Sequence, residues 1–243
     1  MTLNSQQTKA KEKLNDFIKN PKKQEFLLEG YAGTGKTYSI TNVLYQSNYA
    51  KLNVCFTATT NKAVSVLNKK GSDNLSSFRA KYYEAGRRDY KTIHKLLSME
   101  REIQDNGDVI FVPQIVKANS QLEVTAQQSK SKYYGSYYDY DIIVIDECSM
   151  VSDIMYSCIQ SLLNGFGPKI IWLGDRFQLP PINESLSKVF RPEEQLDQYL
   201  LTTIERSKNK NIEAFQLSVR NSLQENKGVA IGKFKKIKTE QDR

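Results

Sequence analysis

One segment limits what this chain can fold into more than any other: Gly30-Tyr-Ala-Gly33-Thr34-Gly35-Lys36-Thr37, which fits the phosphate-loop (P-loop) pattern G-x-x-x-x-G-K-[ST]. Glycines at those places let backbone N–H groups curl around a phosphate chain, which side chains would obstruct. Lys36 supplies a positive charge for β- and γ-phosphates, and the Thr37 hydroxyl is placed to bind Mg²⁺. Such a loop belongs between a strand and a helix, whose N-terminal dipole then faces the anion. The flanks comply. Residues 25–29 form a short apolar run that reads as a buried strand, and residues 38–45 read as a helix.

The rest of the chain keeps the same alternation. Ala10, Leu14, Phe17 and Ile18 recur at helical spacing within 3–20. Strands are expected at 52–57, 142–146, 169–175 and 199–202, and helices at 62–70, 153–163 and 209–223. Strands alternating with helices predict an α/β fold, a mostly parallel sheet flanked by helices. Residues 74–97 are polar and end in a short helix at 92–97. Residues 101–113 carry an Asn106-Gly107 turn signal between two potential strands, which predicts a small β-hairpin. Residues 119–139 are polar and tyrosine-rich and read as a long surface loop, the kind that is usually functional or mobile. The tail from Lys227 is basic.

Composition excludes several classes. In 243 residues no apolar run approaches the length of a membrane span, and the N-terminus lacks the apolar core of a signal peptide. A cytoplasmic location, with no targeting signal and no membrane partner, is therefore expected. Cys55, Cys148 and Cys158 are odd in number and lack metal-ligand spacing, so they read as reduced apolar residues rather than a disulfide framework or a zinc site. The single histidine, His94, rules out a multi-histidine site. A net charge of +8, from 35 Lys+Arg against 27 Asp+Glu, suits a polyanionic partner such as nucleic acid, and equally a soluble basic surface.

Two further segments carry chemistry. Ile142-Ile-Val-Ile-Asp146-Glu147 places a carboxylate at the end of a strand, beside the phosphate site of a P-loop fold. Asp146 would hold Mg²⁺ directly or through water, and Glu147 would orient or deprotonate an attacking water. The acidic pair favours hydrolysis over simple nucleotide binding. Trp172-Leu-Gly-Asp175-Arg176-Phe177-Gln178-Leu-Pro-Pro181 brings another strand to the same edge. Gln178 could sense a γ-phosphate there, or serve only as part of a polar turn closed by Pro-Pro.

The segments GYAGTGKT, TATTNKAV, TIHKLL, IIVIDECSM, WLGDRFQLPP and LTTIERS, in this order, resemble superfamily 1 helicases. The RecD/Dda branch, which moves 5′ to 3′ along single-stranded DNA, looks most similar, and the likeness spans residues 3 to about 220. The resemblance implies an ATP-dependent 5′–3′ DNA helicase motor with ATP and Mg²⁺ as cofactors and single-stranded DNA as partner, working among replication or recombination proteins in a bacterial or phage-infected cell. The implied fold is a RecA-like P-loop domain. Residues 1–225 would form domain 1A, with 98–140 as an inserted hairpin and loop of the 1B kind. Residues 226–243 would be a basic tail at the start of a second motor domain supplied elsewhere.

The resemblance also implies roles. Gln7 is similar to the family's adenine-recognising glutamine, though it also fits an ordinary polar residue before a helix. Thr60 and Asn61 match a motif that grips the DNA backbone, and Thr60 fits an N-cap equally well. Thr92 and His94 match a motif that contacts the strand, while a lone histidine also fits a packed or capping role. Arg206 resembles an arginine that reaches the γ-phosphate, or is a surface residue. Phe111 would stand where a hairpin pin splits the duplex, or would pack the hairpin on the domain. Tyr133, Tyr134, Tyr137 and Tyr138 offer further rings for base stacking or belong to the flexible loop. Nothing after Arg220 matches the motifs of a second RecA-like domain. Two rivals stay open: a nucleoside-kinase-type phosphotransferase, against which the acidic pair and residues 174–181 argue, and a nucleotide-binding DNA module without unwinding activity, which that departure favours. The departure also leads to the expectation that this chain alone does not unwind DNA efficiently.

Overall fold

A strand that is apolar on both faces needs cover on both sides, and the sheet is built to that requirement. The computed structural model describes residues 3–81, 85–103, 107, 109–113, 137–163, 167–191, 193, 196–205, 214 and 218–222. In chain order the elements are α1 (Ser5–Lys19), β1 (Glu25–Gly30), α2 (Lys36–Leu44), β2 (Val54–Ala58), α3 (Asn61–Lys81), β3 (Arg88–Thr92), α4 (Ile93–Leu96), β4 (Met99–Ile103), β5 (Val109–Pro113), β6 (Ile142–Asp146), α5 (Asp153–Leu163), β7 (Lys169–Gly174) and β8 (Asp197–Leu201). Six strands form one sheet in the order β3-β2-β6-β7-β1-β8, and every pairing in it is parallel. Every strand therefore ends on the same edge. Chain contacts divide the protein into two units, Met1–Glu205 and Arg206–Arg243, and the sheet lies in the first. In the second, residues 218–222 are helical.

Alternation along each strand feeds two cores. On β6, Ile143 and Ile145 point into one cluster with Leu27, Cys55, Ile170 and Trp172. Ile142 and Val144 point into the other with Phe26, Leu28, Phe56, Ile171 and Leu173. α5 covers the first face through Tyr156 and Ile159, while α1 and α2 cover the second through Leu14, Phe17, Ile40 and Val43. Burial on both faces explains why these strands read as unbroken apolar runs rather than alternating ones. Cys55 and Cys148 are buried free thiols, Cys158 is partly buried, and burial pushes the Cys55 thiol up to about 12.

The expected mostly parallel α/β fold is thus present, with three local differences. The polar stretch 74–97 hides a strand, β3, at the sheet edge. An edge strand pairs on one side only and tolerates polar residues, here Arg88-Asp-Tyr-Lys-Thr92. α3 runs on to Lys81, well past the expected end at residue 70. The expected loop at 119–139 ends in a 3-10 turn, Tyr137–Asp139, with Tyr137 fully buried, so Tyr137 is core rather than a ring for base stacking. Tyr133 and Tyr134 lie outside the described residues. The hairpin is present as the antiparallel pair β4–β5, with Gly107 at φ 83° in its turn and Arg101 opposite Phe111.

β3 is held by a buried cation. Arg88, only 3% exposed, donates through Nη2 to the carbonyls of Leu44 and Tyr49, at 2.9 Å each, and through Nη1 to those of Leu52 and Arg87. Leu44 is the last residue of α2, so the guanidinium also meets the negative end of that helix. Arg88→Met keeps the bulk and strands those carbonyls. It is expected to cost about 3 kcal/mol and to lower the thermal midpoint by roughly 6–12 °C. A midpoint unchanged in calorimetry would show that the carbonyls find other donors.

Candidate functional site

The loop between β1 and α2 takes its shape from its glycines. Gly33 and Gly35 sit at φ 83° and 84°, in the left-handed region that other residues avoid. A Cβ on Gly35 would come within 2.5 Å of Gln7 Nε2 and push that amide away from the Thr34 carbonyl it bonds. Gly35 is the N-cap of α2 and brings no capping side chain, which leaves the helix's first N–H groups turned toward the loop. Lys36 Nζ lies inside it, donating to the carbonyls of Gly30 at 2.6 Å and Tyr31 at 3.2 Å.

The acidic pair arrives from β6, two strands from β1 with β7 between them. Thr37 Oγ1 donates to Asp146 Oδ2 at 3.1 Å, and Asp146 Oδ1 accepts from the Glu147 N–H at 2.9 Å. Glu147 adopts φ 55°, a left-handed turn in a non-glycine residue that bends the chain sharply away from the strand. Burial, reinforced by Asp146, raises the pKa of the Glu147 carboxyl, and Lys70 offsets part of that. A hydroxyl and a carboxylate in contact beside the glycine loop are hard oxygen donors that could hold a divalent cation. Among the described residues no cluster of three or more His, Cys, Asp or Glu could form an all-protein metal cage.

Gln178 follows β7 in an exposed turn closed by its own N–H on the Asp175 carbonyl, at 2.9 Å. Gln7 lies in the first turn of α1 rather than before the helix. It completes a capping box with Asn4 and donates through Nε2 to the Thr34 carbonyl at 3.1 Å. Thr34 is itself buried, its hydroxyl donating to the Tyr31 carbonyl. Arg206 lies outside the described residues.

The expected DNA contacts gather at neighbouring strand ends, because Ala58 of β2 pairs with Thr92 of β3. Thr60 Oγ1 accepts from the Ala63 N–H at 3.1 Å, and Thr92 Oγ1 from the Lys95 N–H at 3.3 Å, so both threonines cap the helices that follow. Asn61 is exposed at the start of α3. His94, half-buried in α4, has its pKa lowered by burial and is neutral at pH 7. Phe111 is on β5, in the hairpin that follows α4.

Residues not singled out from sequence also shape the site. Gln6 Oε1 accepts from the backbone N–H groups of both Thr202 and Thr203 at 2.9 Å, and its Nε2 donates to Thr202 Oγ1. The Glu205 N–H then donates to the Gly33 carbonyl at 2.9 Å, so the strap after β8 is tied to α1 and to the loop. Glu29 and Arg176 form a bidentate pair beneath the loop. A charge inside the apolar run of β1 was the visible signal for Glu29.

An all-parallel sheet with a glycine loop on β1 and an acidic pair on β6 defines a RecA-like P-loop domain. The chain belongs to the AAA domain family, whose match covers residues 2–238. It is 31% identical over 223 residues to the uncharacterized protein R530 of Acanthamoeba polyphaga mimivirus, covering 90% of this chain and 42% of that protein. In fold it is similar to Bacteroides Pif1 bound to ssDNA (TM-score 0.56, 18% identity, 91% of this chain and 46% of that one). It is similar also to Bacteroides sp Pif1 in complex with ADP-AlF4 (TM-score 0.57, 18% identity, 95% and 48%) and to the Pif1 helicase of Candida albicans (TM-score 0.52, 16% identity, 92% and 44%). The chain spans less than half the length of each of these proteins. No described helix is long and apolar enough to cross a membrane.

The Gln6 bonds make a direct prediction. In Gln6→Ala the amide protons of Thr202 and Thr203 should exchange with solvent about tenfold faster or more, while those of β1 keep their protection. Unchanged exchange at both amides would show that Gln6 does not hold the strap.

Proposed function

We propose that this chain is the ATP-hydrolysing motor domain of a 5′–3′ DNA helicase that binds single-stranded DNA. The observation that carries the reading is the 3.1 Å contact between Thr37 Oγ1 and Asp146 Oδ2 at the mouth of the glycine loop. Support also comes from the fold shared with Pif1 proteins crystallised with ADP-AlF4 and with ssDNA.

Thr37 and Asp146 would hold Mg²⁺, which when bound neutralises charge on the β- and γ-phosphate oxygens. Lys36 would exchange its two carbonyl contacts for phosphate oxygens. Gln7 would meet the adenine through the second N–H of its amide, the first being committed to Thr34. Glu147, next to Asp146, would orient and deprotonate the attacking water. Gln178 would sense the γ-phosphate, and Arg206 would stabilise charge in the transition state. On the DNA side, Thr60 and Thr92 spend a lone pair on their helix caps and keep an O–H to donate to phosphate. Asn61, neutral His94 and Phe111 of the hairpin would complete that face.

The test is phosphate release with and without a dT oligonucleotide. Stimulation by the oligonucleotide supports the motor reading, whereas release indifferent to DNA favours the phosphotransferase class. Lys36→Ala should abolish hydrolysis and weaken nucleotide binding. Glu147→Gln should keep binding and lose about 10²–10⁴ in turnover. Unchanged turnover in Glu147→Gln would remove it from the role of base. Affinity for the oligonucleotide should fall steeply with salt, and Thr60→Ala should weaken all sequences alike. A salt-independent affinity or a marked base preference would contradict a backbone-tracking surface.

A further inference from the structure

The penultimate residue of β1 is a carboxylate, Glu29, directly before the first glycine of the loop. Glu29 is 5% exposed, and the next residue, Gly30, gives its carbonyl to Lys36. An ionised carboxylate in the low-dielectric wall of a polyanion site repels the ligand and is itself costly to bury. Its partner is Arg176. Arg176 Nε donates to Glu29 Oε1 and Nη2 to Oε2, both at 2.7 Å, a fork-on-fork pair. The backbone brings them together, because Glu29 pairs with Gly174 across the β1–β7 ladder and Arg176 stands two residues beyond. The guanidinium is further confined 5.8 Å from the ring centre of Phe190.

The charge of Glu29 reaches the residue that follows the acidic pair. The thiol of Cys148, one residue past Glu147, is pushed up first by burial and then by Asp146. Lys36 pulls it down, and Glu29 adds a smaller upward push. Around the loop and the acidic pair, Lys36, Lys70 and Arg176 stand against Glu29, Asp146, Glu147 and Asp175. Removing Arg176 would tip that balance further against an anion.

We propose that Arg176 is a positioning residue of the nucleotide site: it neutralises Glu29, so that the loop presents a positive field to the phosphates. The inference rests on the nucleotide-binding reading above. Arg176 also links the base of the loop to the turn that carries Gln178, and the charge and link roles make different predictions. If charge matters, removing both partners restores binding. If only the link matters, removing both is as harmful as removing one.

The experiment is a fluorescence titration of the full chain, with Mg²⁺, using labelled ADP and a labelled non-hydrolysable ATP analogue. Arg176→Ala should weaken ADP binding by about tenfold, and the ATP analogue by more because it carries more charge. The double variant Arg176→Ala/Glu29→Gln should return to within about threefold of the native affinity. A double variant as weak as Arg176→Ala would overturn the proposal. If Arg176→Ala does not fold, Glu29→Gln alone decides. Unchanged or tighter binding supports the charge role, and a tenfold loss overturns it. Lys36→Ala separates the two levels. If it leaves affinity intact, the nucleotide reading fails and this inference with it. If Lys36→Ala weakens binding and Arg176→Ala does not, only the role of Arg176 fails.

Discussion

All six strands of the main sheet run in one direction, and each must leave it on the same edge. That constraint builds the site. β1 exits into the glycine loop, β6 into Asp146 and Glu147, β7 into Arg176 and Gln178, and β8 into the strap at 202–205. β2 and β3 exit into the two threonine caps. Residues more than a hundred positions apart, such as Thr37 and Asp146, meet at 3.1 Å because β7 is the only strand between theirs. Crossover helices and buried strands are the common way an α/β fold turns distant sequence into one ligand edge.

Crowding function on one edge has a physical cost, and the structure shows where it falls. Glu147 holds a left-handed backbone, and its carboxyl is pushed toward protonation by burial and by Asp146. Glu29 is a buried carboxylate under an anion loop. Each of these breaks a local rule, and such exceptions are common at functional sites. The compensations are hydrogen bonds on the same edge: the Arg176 fork, the Gln6 clamp and the capping box of α1. The apolar clusters behind the sheet supply the rigidity that holds these groups in place.

The sheet's inner strands were legible because burial on both faces writes them as apolar runs, and the loop because its spacing admits little else. β3 was not, since an edge strand carrying Arg88, Asp89 and Lys91 lacks the apolar signature and owes its place to pairing with β2 and to the buried guanidinium. Lys36, Thr37, Asp146 and Glu147 were readable as a set, because each stands at a strand or helix end with a chemical reason to be there. Gln6 was not, because its bonds reach backbone groups nearly two hundred residues away, which no local pattern encodes. Thr60 and Thr92 both cap the helices that follow them, the role the sequence offered for Thr60 beside a DNA contact.

The central claim is that the glycine loop and the acidic pair form one nucleotide site. A crystal structure of the chain grown with ADP, magnesium and aluminium fluoride tests it most directly. The account predicts the phosphates within hydrogen-bonding distance of the backbone N–H groups of the loop, the metal between Thr37 Oγ1 and Asp146, and Glu147 facing the fluoride. Nucleotide bound away from the loop, or a metal without Thr37 and Asp146 among its ligands, would contradict it.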